Sequence, residues 1–173
     1  LAEAMEELGV ETGIVTKGKD ESFLSDCTIE TDQLALIPDT YIDMTAEKIR
    51  IYKELDSLSS DKEMESMKAK LSDRFGPLPD EVLRLFDIVK IRQLGQKLGF
   101  DKIIIKNGVL IAFFVSNPLS QYYKSDRFSK VLENISLHPK LFELKQNDSK
   151  LRIFARNVNS ISKAYETLSK LLI

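Results

Sequence analysis

Apolar residues in the first half of the chain recur every three to four positions, as expected for α-helices that bury one face. Three such segments follow one another. The first is predicted to begin with Thr45 as its cap, to place Ile49, Tyr52 and Leu55 on one face, and to end in the serine cluster at 57–60.

The second segment begins with the spacing of a capping box, in which Ser60 is followed three residues later by Glu63. An apolar stripe then runs to Gly76, which is the residue type best suited to a left-handed helix C-cap. The pattern predicts a helix over residues 61–75. Its apolar stripe consists of Met64, Met67, Leu71 and Phe75.

A rigid elbow is expected directly after this helix. Pro77 cannot continue a helix, and Pro79 biases Leu78 toward extended geometry. Asp80 is expected to act as the N-cap of the next helix, because its carboxylate can accept a hydrogen bond from a free backbone amide. The elbow is therefore predicted to hold two helices at a fixed angle.

The third segment, residues 81–98, is apolar on more than one side. At about 100° per residue, its two apolar sets lie roughly 120–160° apart. A helix of this kind is expected at the centre of a domain, packed on two sides. Gly95 is expected to weaken it locally, and Gly99 to end it. One set consists of Val82, Leu85, Phe86 and Val89, and the other of Leu94 and Leu98.

The second half of the chain carries β-type patterns. Asn107-Gly108 lies between two β-rich runs, 102–106 and 109–115, and predicts a hairpin with a type I′ turn. The predicted fold class is α+β: a helical N-terminal half with a central buried helix, then a small antiparallel sheet with packed helices. Further strands are expected at 29–37, 141–145 and 151–155, and further helices from Ser125 or Asp126 to 135 and from Asn159 or Ser160 to 172.

The first 28 residues have a different pattern. Residues 1–8 are typical of the end of a helix, and residues 10–28 mix Gly, Thr, Ser and charges without a sustained period. We expect 1–28 to be an upstream helix end and a flexible linker, and 29–173 to be one domain. Because the chain begins with Leu rather than Met, it is expected to be a piece of a longer protein.

Composition narrows the class of protein. No apolar run approaches the ~20 residues that cross a bilayer, so no membrane partner is expected. The single cysteine, Cys27, cannot form an internal disulfide; we expect a buried or half-exposed thiol and a cytoplasmic protein. Residues 102–173 contain 12 basic and 5 acidic residues. This surplus indicates either a nucleic acid or acidic partner, or simply a solvated surface.

Candidate catalytic residues are few. The seven glycines never reach the spacing of a phosphate-binding loop, and no Cys/His set could ligate zinc. His138 precedes Pro139 and is typical of a turn; the alternative is a hydrolase that uses it as a base. Carboxylate pairs occur at helix starts, where the helix dipole favours them. We therefore expect this segment to have no catalytic residue, metal or cofactor.

One polar residue stands out by its position on the second helix. Asp73 lies about 180° from the centre of the apolar stripe and near the C-terminal end, where a carboxylate is mildly unfavourable with the helix dipole. Two interpretations remain open. Asp73 either meets a cation of a partner or forms a local surface salt bridge that contributes little.

Three runs of the sequence resemble the C-terminal domain of one family, the bacterial transcription-repair coupling factors (Mfd). They are 35–42 (Ala-Leu-Ile-Pro-Asp-Thr-Tyr-Ile), 50–53 (Arg-Ile-Tyr-Lys) and 71–79 (Leu-Ser-Asp-Arg-Phe-Gly-Pro-Leu-Pro). The continuation from Gln93 to Gly99 into a Lys-Ile strand also fits. The resemblance covers residues 29 to about 105 and is specific as a combination, whereas each run alone would be weak.

The resemblance implies a parent protein that is an ATP-hydrolysing, helicase-type translocase on duplex DNA, with its ATP and Mg sites in motors upstream of this segment. Such proteins dislodge stalled RNA polymerase and recruit UvrA in nucleotide excision repair. Residues 29–173 are implied to be the C-terminal regulatory domain of such a protein, non-catalytic and autoinhibitory. It packs on an N-terminal UvrB-like module of the same protein, masks UvrA binding and restrains the motor. The alternative is a nucleic-acid-binding module that uses the basic residues of 102–173.

The resemblance also selects site residues. Asp73 matches an acid that is thought to face arginines of the N-terminal module. Where relatives can carry a second acid one turn earlier, this chain has Lys70, which predicts a weaker or shifted clamp. The candidates for the partner interface are Asp73, Lys70 and Arg74, and those for the structural elbow are Phe75, Gly76, Pro77 and Pro79.

Overall fold

The computed structural model describes residues 24, 26–148 and 150–173. The helix end and most of the linker expected over residues 1–28 lie outside the described residues. The helices are α1 (Thr45–Asp56), α2 (Asp61–Phe75), α3 (Asp80–Leu98), α4 (Asp126–Leu137) and α5 (Ile161–Ser169), with a 3-10 helix at Gln121–Lys124. The strands are β1 (Thr28–Thr31), β2 (Phe100–Lys106), β3 (Val109–Phe114), β4 (Glu143–Asn147) and β5 (Lys150–Arg156).

The five described strands form one sheet in the order β1-β2-β3-β5-β4. The predicted hairpin is confirmed, with positive φ angles at Asn107 (53°) and Gly108 (74°) between β2 and β3. The antiparallel pairing expected of the sheet holds from β2 to β4, while β1 lies parallel to β2 and makes the sheet mixed. The α+β class is confirmed, and the parallel edge strand is an addition to it.

Helix α3 joins two hydrophobic cores, as its two apolar sides predicted. Val82 and Phe86 lie in a helical core with the buried residues of α1 and α2. Leu94 and Leu98 lie in a sheet core with β2, β3, β5 and the helices α4 and α5. Gly99 ends the helix in the left-handed conformation, at φ 96° and ψ 28°. The central position of α3 therefore ties the helical half of the domain to the sheet.

Gly95 allows a close contact that the sequence analysis did not foresee. Cys27 is buried against α3, and a Cβ atom added to Gly95 would lie 2.6 Å from the Cys27 sulfur and 3.0 Å from Cδ1 of Ile103. The glycine lets the chain just before β1 pack directly on the helix. The expectation of a buried thiol is confirmed, and burial, with Asp26 nearby, raises the pKa of Cys27 to about 12.

The buried face of α1 differs from the prediction. Ile51 and Leu55 enter the helical core, whereas Ile49 is 49% exposed. Tyr52 is also partly exposed, because its hydroxyl accepts a hydrogen bond from the Ile37 amide at 2.9 Å. The predicted set of apolar residues on α1 was therefore wrong in part. The helix also starts one residue earlier than predicted, with Met44 rather than Thr45 at the N-cap and no side-chain cap.

The strand expected at 141–145 is shifted. The amides of Leu141 and Phe142 donate to the carbonyl of His138, which closes a turn after α4 and delays β4 until Glu143. The predicted caps of α4 and α5 are confirmed at Ser125 and Ser160, whose hydroxyls accept from backbone amides three residues later.

Candidate interaction surface

The elbow between α2 and α3 depends on an unusual backbone conformation at Gly76. This residue caps α2, and its amide donates to the carbonyl of Ser72 at 2.9 Å. Its φ is 93° and its ψ is −175°, so the expectation of a left-handed cap was wrong. This region of backbone space is accessible essentially to glycine alone. Since a Cβ atom at Gly76 would meet nothing within 4 Å, the backbone angle rather than crowding requires the glycine.

The start of α3 also differs from the expectation. Pro79 is the N-cap residue, with φ −69° and ψ 161°, and its carbonyl accepts from the amides of Val82 and Leu83. Asp80 is the first helical residue and makes no side-chain cap. Proline fits this boundary because it sets φ near the required value and has no amide to satisfy. Asp80 still places its carboxylate in the first turn, where the helix dipole favours it.

Tyr41 fastens the elbow to the loop before α1. Its hydroxyl lies 2.8 Å from the carbonyl oxygen of Gly76 and 3.2 Å from that of Leu71. Its ring centroid lies 5.9 Å from that of Phe75. Partial burial raises the pKa of Tyr41, so the hydroxyl remains a donor at neutral pH. Sequence reasoning did not find this role, since no local pattern links a tyrosine to carbonyls 30–35 residues away.

Arg74 is held within the domain. Its guanidinium pairs with Glu47 of α1 at 2.8 Å and lies 4.7 Å from the centroid of the Phe75 ring. Glu47 also binds Arg50 at 2.5 Å. Arg50, and to a smaller extent Arg74, hold the pKa of Glu47 below its ordinary value. Glu47 was not identified from the sequence. The ion pair links the last turn of α2 to α1 at the surface, where such a pair contributes little to stability.

Asp73 and Lys70 project from the outer side of α2. Both are exposed. Asp73 forms no salt bridge with any other residue in the part of the chain that the structure describes. The residues one turn and two turns before it on the same side, Ala69 and Ser66, are small and exposed. Lys70 borders a groove of about 390 Å³ between the end of α1 and α2. Asp73 is therefore exposed on a side of α2 whose neighbouring side chains are small, directly before the elbow.

His138, the candidate catalytic base, makes contacts at the end of a helix. His138 is the C-cap residue of α4, and its Nδ1 lies 2.9 Å from the carbonyl oxygen of Asn134. No serine among the described residues hydrogen-bonds to its ring. The described residues contain no group of three or more His, Cys, Asp or Glu side chains arranged to hold a metal ion. None of the described helices combines the length and apolarity needed to cross a membrane.

A family model, the TRCF domain, matches residues 31–125 of the chain. The transcription-repair-coupling factor of Rickettsia typhi is 34% identical over 161 residues, which cover 89% of this chain and 14% of that protein. The transcription-repair-coupling factor of Escherichia coli is 39% identical over 75 residues, or 43% of this chain and 6% of that protein. The chain therefore spans about one seventh or less of the length of these relatives.

A solved structure has the same fold. It is described as the crystal structure of the C-terminal domain of a transcription-repair coupling factor, and it superimposes with a TM-score of 0.68 at 22% sequence identity. The match covers 87% of this chain and 96% of that structure. At this coverage, the likeness extends beyond the residues matched by the family model.

Proposed function

The chain belongs to the transcription-repair coupling factor family as its C-terminal TRCF domain, and from this premise we propose that it is a non-catalytic clamp that keeps its parent protein closed. Family membership assigns the chain to DNA repair. In the proposal, the outer side of α2 packs on an N-terminal UvrB-like module of the same protein. The closed arrangement masks the surface that UvrA would bind and restrains an ATP- and Mg-dependent motor, which acts on duplex DNA and RNA polymerase.

The observation that carries the proposal is the position of Asp73. An exposed carboxylate in the last turn of a helix is mildly unfavourable with the helix dipole, and here no described residue forms an ion pair with it. The elbow and the Arg74–Glu47 pair hold the backbone beneath it. An arginine of a partner surface could bind this carboxylate in a bidentate manner at little entropic cost to the helix.

The magnitude of one such pair limits its role. An exposed ion pair contributes about 0.2–1 kcal/mol. A clamp that leaves about 1% of molecules open needs a free-energy difference of about 2.7 kcal/mol. Asp73 therefore supplies only part of the closing free energy, and the remaining contacts of the α2 face must supply the rest. Lys70 reduces the negative charge of this face, which favours a clamp that opens easily.

Deletion of residues 29–173 from the parent protein tests the proposal. The apparent dissociation constant for UvrA should fall by up to about 100-fold, the ratio of fully open to 1% open molecules. DNA-stimulated ATP hydrolysis should rise in the same variant. If both values equal those of the intact parent protein, the clamp is refuted. If only the ATPase rises, the masking of UvrA is refuted and the restraint of the motor stands.

A further inference from the structure

The sheet has one face that no described helix covers. Side chains alternate across a strand, and the fully buried residues of β2, β3 and β5 all lie on the face beneath α3, α4 and α5. We call the opposite side the outer face. Its central residues are apolar and only partly buried, and they belong to neither hydrophobic core. They are Ile104, Ile111, Phe113 and Phe154.

The two phenylalanines occupy neighbouring strands. Phe113 on β3 is paired with Arg152 on β5, and Ile111 is paired with Phe154. The rings therefore lie diagonally across the strand pair, with Ile111 and Arg152 between them. Lys145 and Arg152 place their cationic groups 4.8 and 5.3 Å from the centroid of the Phe154 ring. Phe154 therefore combines an aromatic surface with two cations, and base stacking and phosphate binding use this combination of groups.

The charge of the outer face is positive. Two acids of this face are paired with cations: Glu30 with Lys102 at 2.9 Å, and Glu143 with Arg156 at 3.0 Å. These cations hold the pKa of both carboxyl groups below the ordinary value. Six bases stand against these two acids and Asp101 at the end of the face, so the face attracts anions. The bases are Lys102, Lys106, Lys145, Lys150, Arg152 and Arg156.

A cleft of about 230 Å³ lies at the Phe113 end of the outer face. Lys102 and Lys150 border it, together with Asp101 and Ser116, and the Asp101 carboxylate accepts the Ser116 amide at 3.1 Å. The cleft is smaller than the ~300–1,000 Å³ pockets that hold drug-sized ligands. It combines an aromatic wall, two cations and polar groups in a space suited to one planar ring system.

We propose that the outer face binds single-stranded DNA, with bases against Phe113 and Phe154, phosphates on the surrounding cations, and one base in the cleft. Aromatic side chains interleaved with cations are the arrangement that holds unpaired bases, whereas a duplex hides the faces of its bases. DNA is the proposed occupant rather than RNA because the chain belongs to a family of DNA-repair proteins. This function is independent of the clamp through α2, since it uses the opposite half of the domain.

The test is a fluorescence-anisotropy titration of the 173-residue chain with a labelled twelve-nucleotide oligo(dT). Saturable binding in the micromolar range is expected, weakening about 20-fold between 50 and 200 mM salt if about three phosphates are neutralised. Phe113→Leu and Phe154→Leu keep apolar bulk but remove the aromatic face, and each should weaken binding about 5-fold or more. Lys106→Gln with Arg156→Gln should lower the salt slope by about 1.4.

Lys163→Gln is the matched control, since Lys163 is an exposed cation on α5, away from the outer face. It should bind like the unsubstituted chain. The proposal is overturned if oligo(dT) shows no saturable binding, if both leucine variants bind normally, or if Lys163→Gln weakens binding equally. Equal or tighter binding of a duplex or of oligo(U) also overturns it. Binding of an acidic helical peptide in place of DNA would assign the face to a protein partner instead.

Discussion

Replacing Gly76 tests the backbone conformation on which the elbow depends. At φ 93° and ψ −175°, a residue with a Cβ atom is strained even though the space around it is open. Gly76→Ala should lower the free energy of unfolding by about 1–3 kcal/mol, the cost of holding a non-glycine residue in such a region. The melting temperature should fall by about 2–12 °C for a chain of this size.

The comparison with asparagine separates two kinds of cap. Asparagine tolerates a left-handed cap but not ψ near 180°, so Gly76→Asn should cost about as much as Gly76→Ala. Urea unfolding followed by circular dichroism measures both, and Ser66→Ala, at an exposed position of the same helix, should change the free energy by less than about 0.5 kcal/mol. If the unfolding free energy of Gly76→Asn is close to that of the unsubstituted chain, the conformation described for the elbow is refuted.

Three further predictions concern the interior of the domain. Gly95→Ala should destabilise the fold by about 1–3 kcal/mol in urea unfolding, because the new methyl group meets Cys27 and Ile103. Adding Cys27→Ala should recover part of this loss. Full stability of Gly95→Ala alone would contradict the contact. Cys27, with its pKa raised to about 12, should react with a thiol reagent at pH 8 only after unfolding, and rapid labelling of the folded chain would show that the thiol is accessible. Burial raises the pKa of Asp87, so its negative charge opposes folding at neutral pH. Asp87→Asn should therefore stabilise the chain at pH 7, and the gain should disappear below pH ~3.9, where the carboxyl group is protonated in both the folded and the unfolded chain. An equal gain at both pH values would refute the role of this charge.

Local signals predicted most of the secondary structure. Ser125 and Ser160 cap their helices as expected, because the cap needs only a hydroxyl and the backbone amide three residues later. The Ser60 cap is confirmed in the same way, and the Glu63 carboxylate accepts the amide of Ser59 at 2.8 Å, one residue before the cap. Asn107-Gly108 fixed the hairpin because few residues tolerate positive φ at both positions.

The errors arose where distant residues decide the outcome. The parallel pairing of β1 with β2 joins residues more than 70 positions apart, and no local pattern encodes it. The buried face of α1 depends on which side meets α2 and α3, and Tyr52 lies elsewhere because its hydroxyl binds a loop amide. The caps at Gly76 and Pro79 follow the path of the chain through the elbow, which composition alone did not determine.

The candidate site was predictable in outline. Helical periodicity placed Asp73 on the exposed side of α2, and the structure agrees. The contacts that stabilise the end of α2 were not predictable, since Tyr41 comes from a loop and Glu47 from another helix. The partner cation is expected on a different module, so the interface roles of Lys70, Asp73 and Arg74 stay predictions.

The affinity of the intact parent protein for UvrA, measured with a single charge reversal on α2, tests the clamp most directly. Asp73→Arg removes the proposed ion pair and adds a repulsion, together about 1.4 kcal/mol, and should raise the open fraction and the apparent affinity for UvrA about tenfold. Glu133→Arg makes the same change of charge at an exposed position of α4 and should leave the affinity unchanged. A dissociation constant for Asp73→Arg equal to those of the Glu133→Arg and unsubstituted proteins would contradict the role of Asp73 in the clamp.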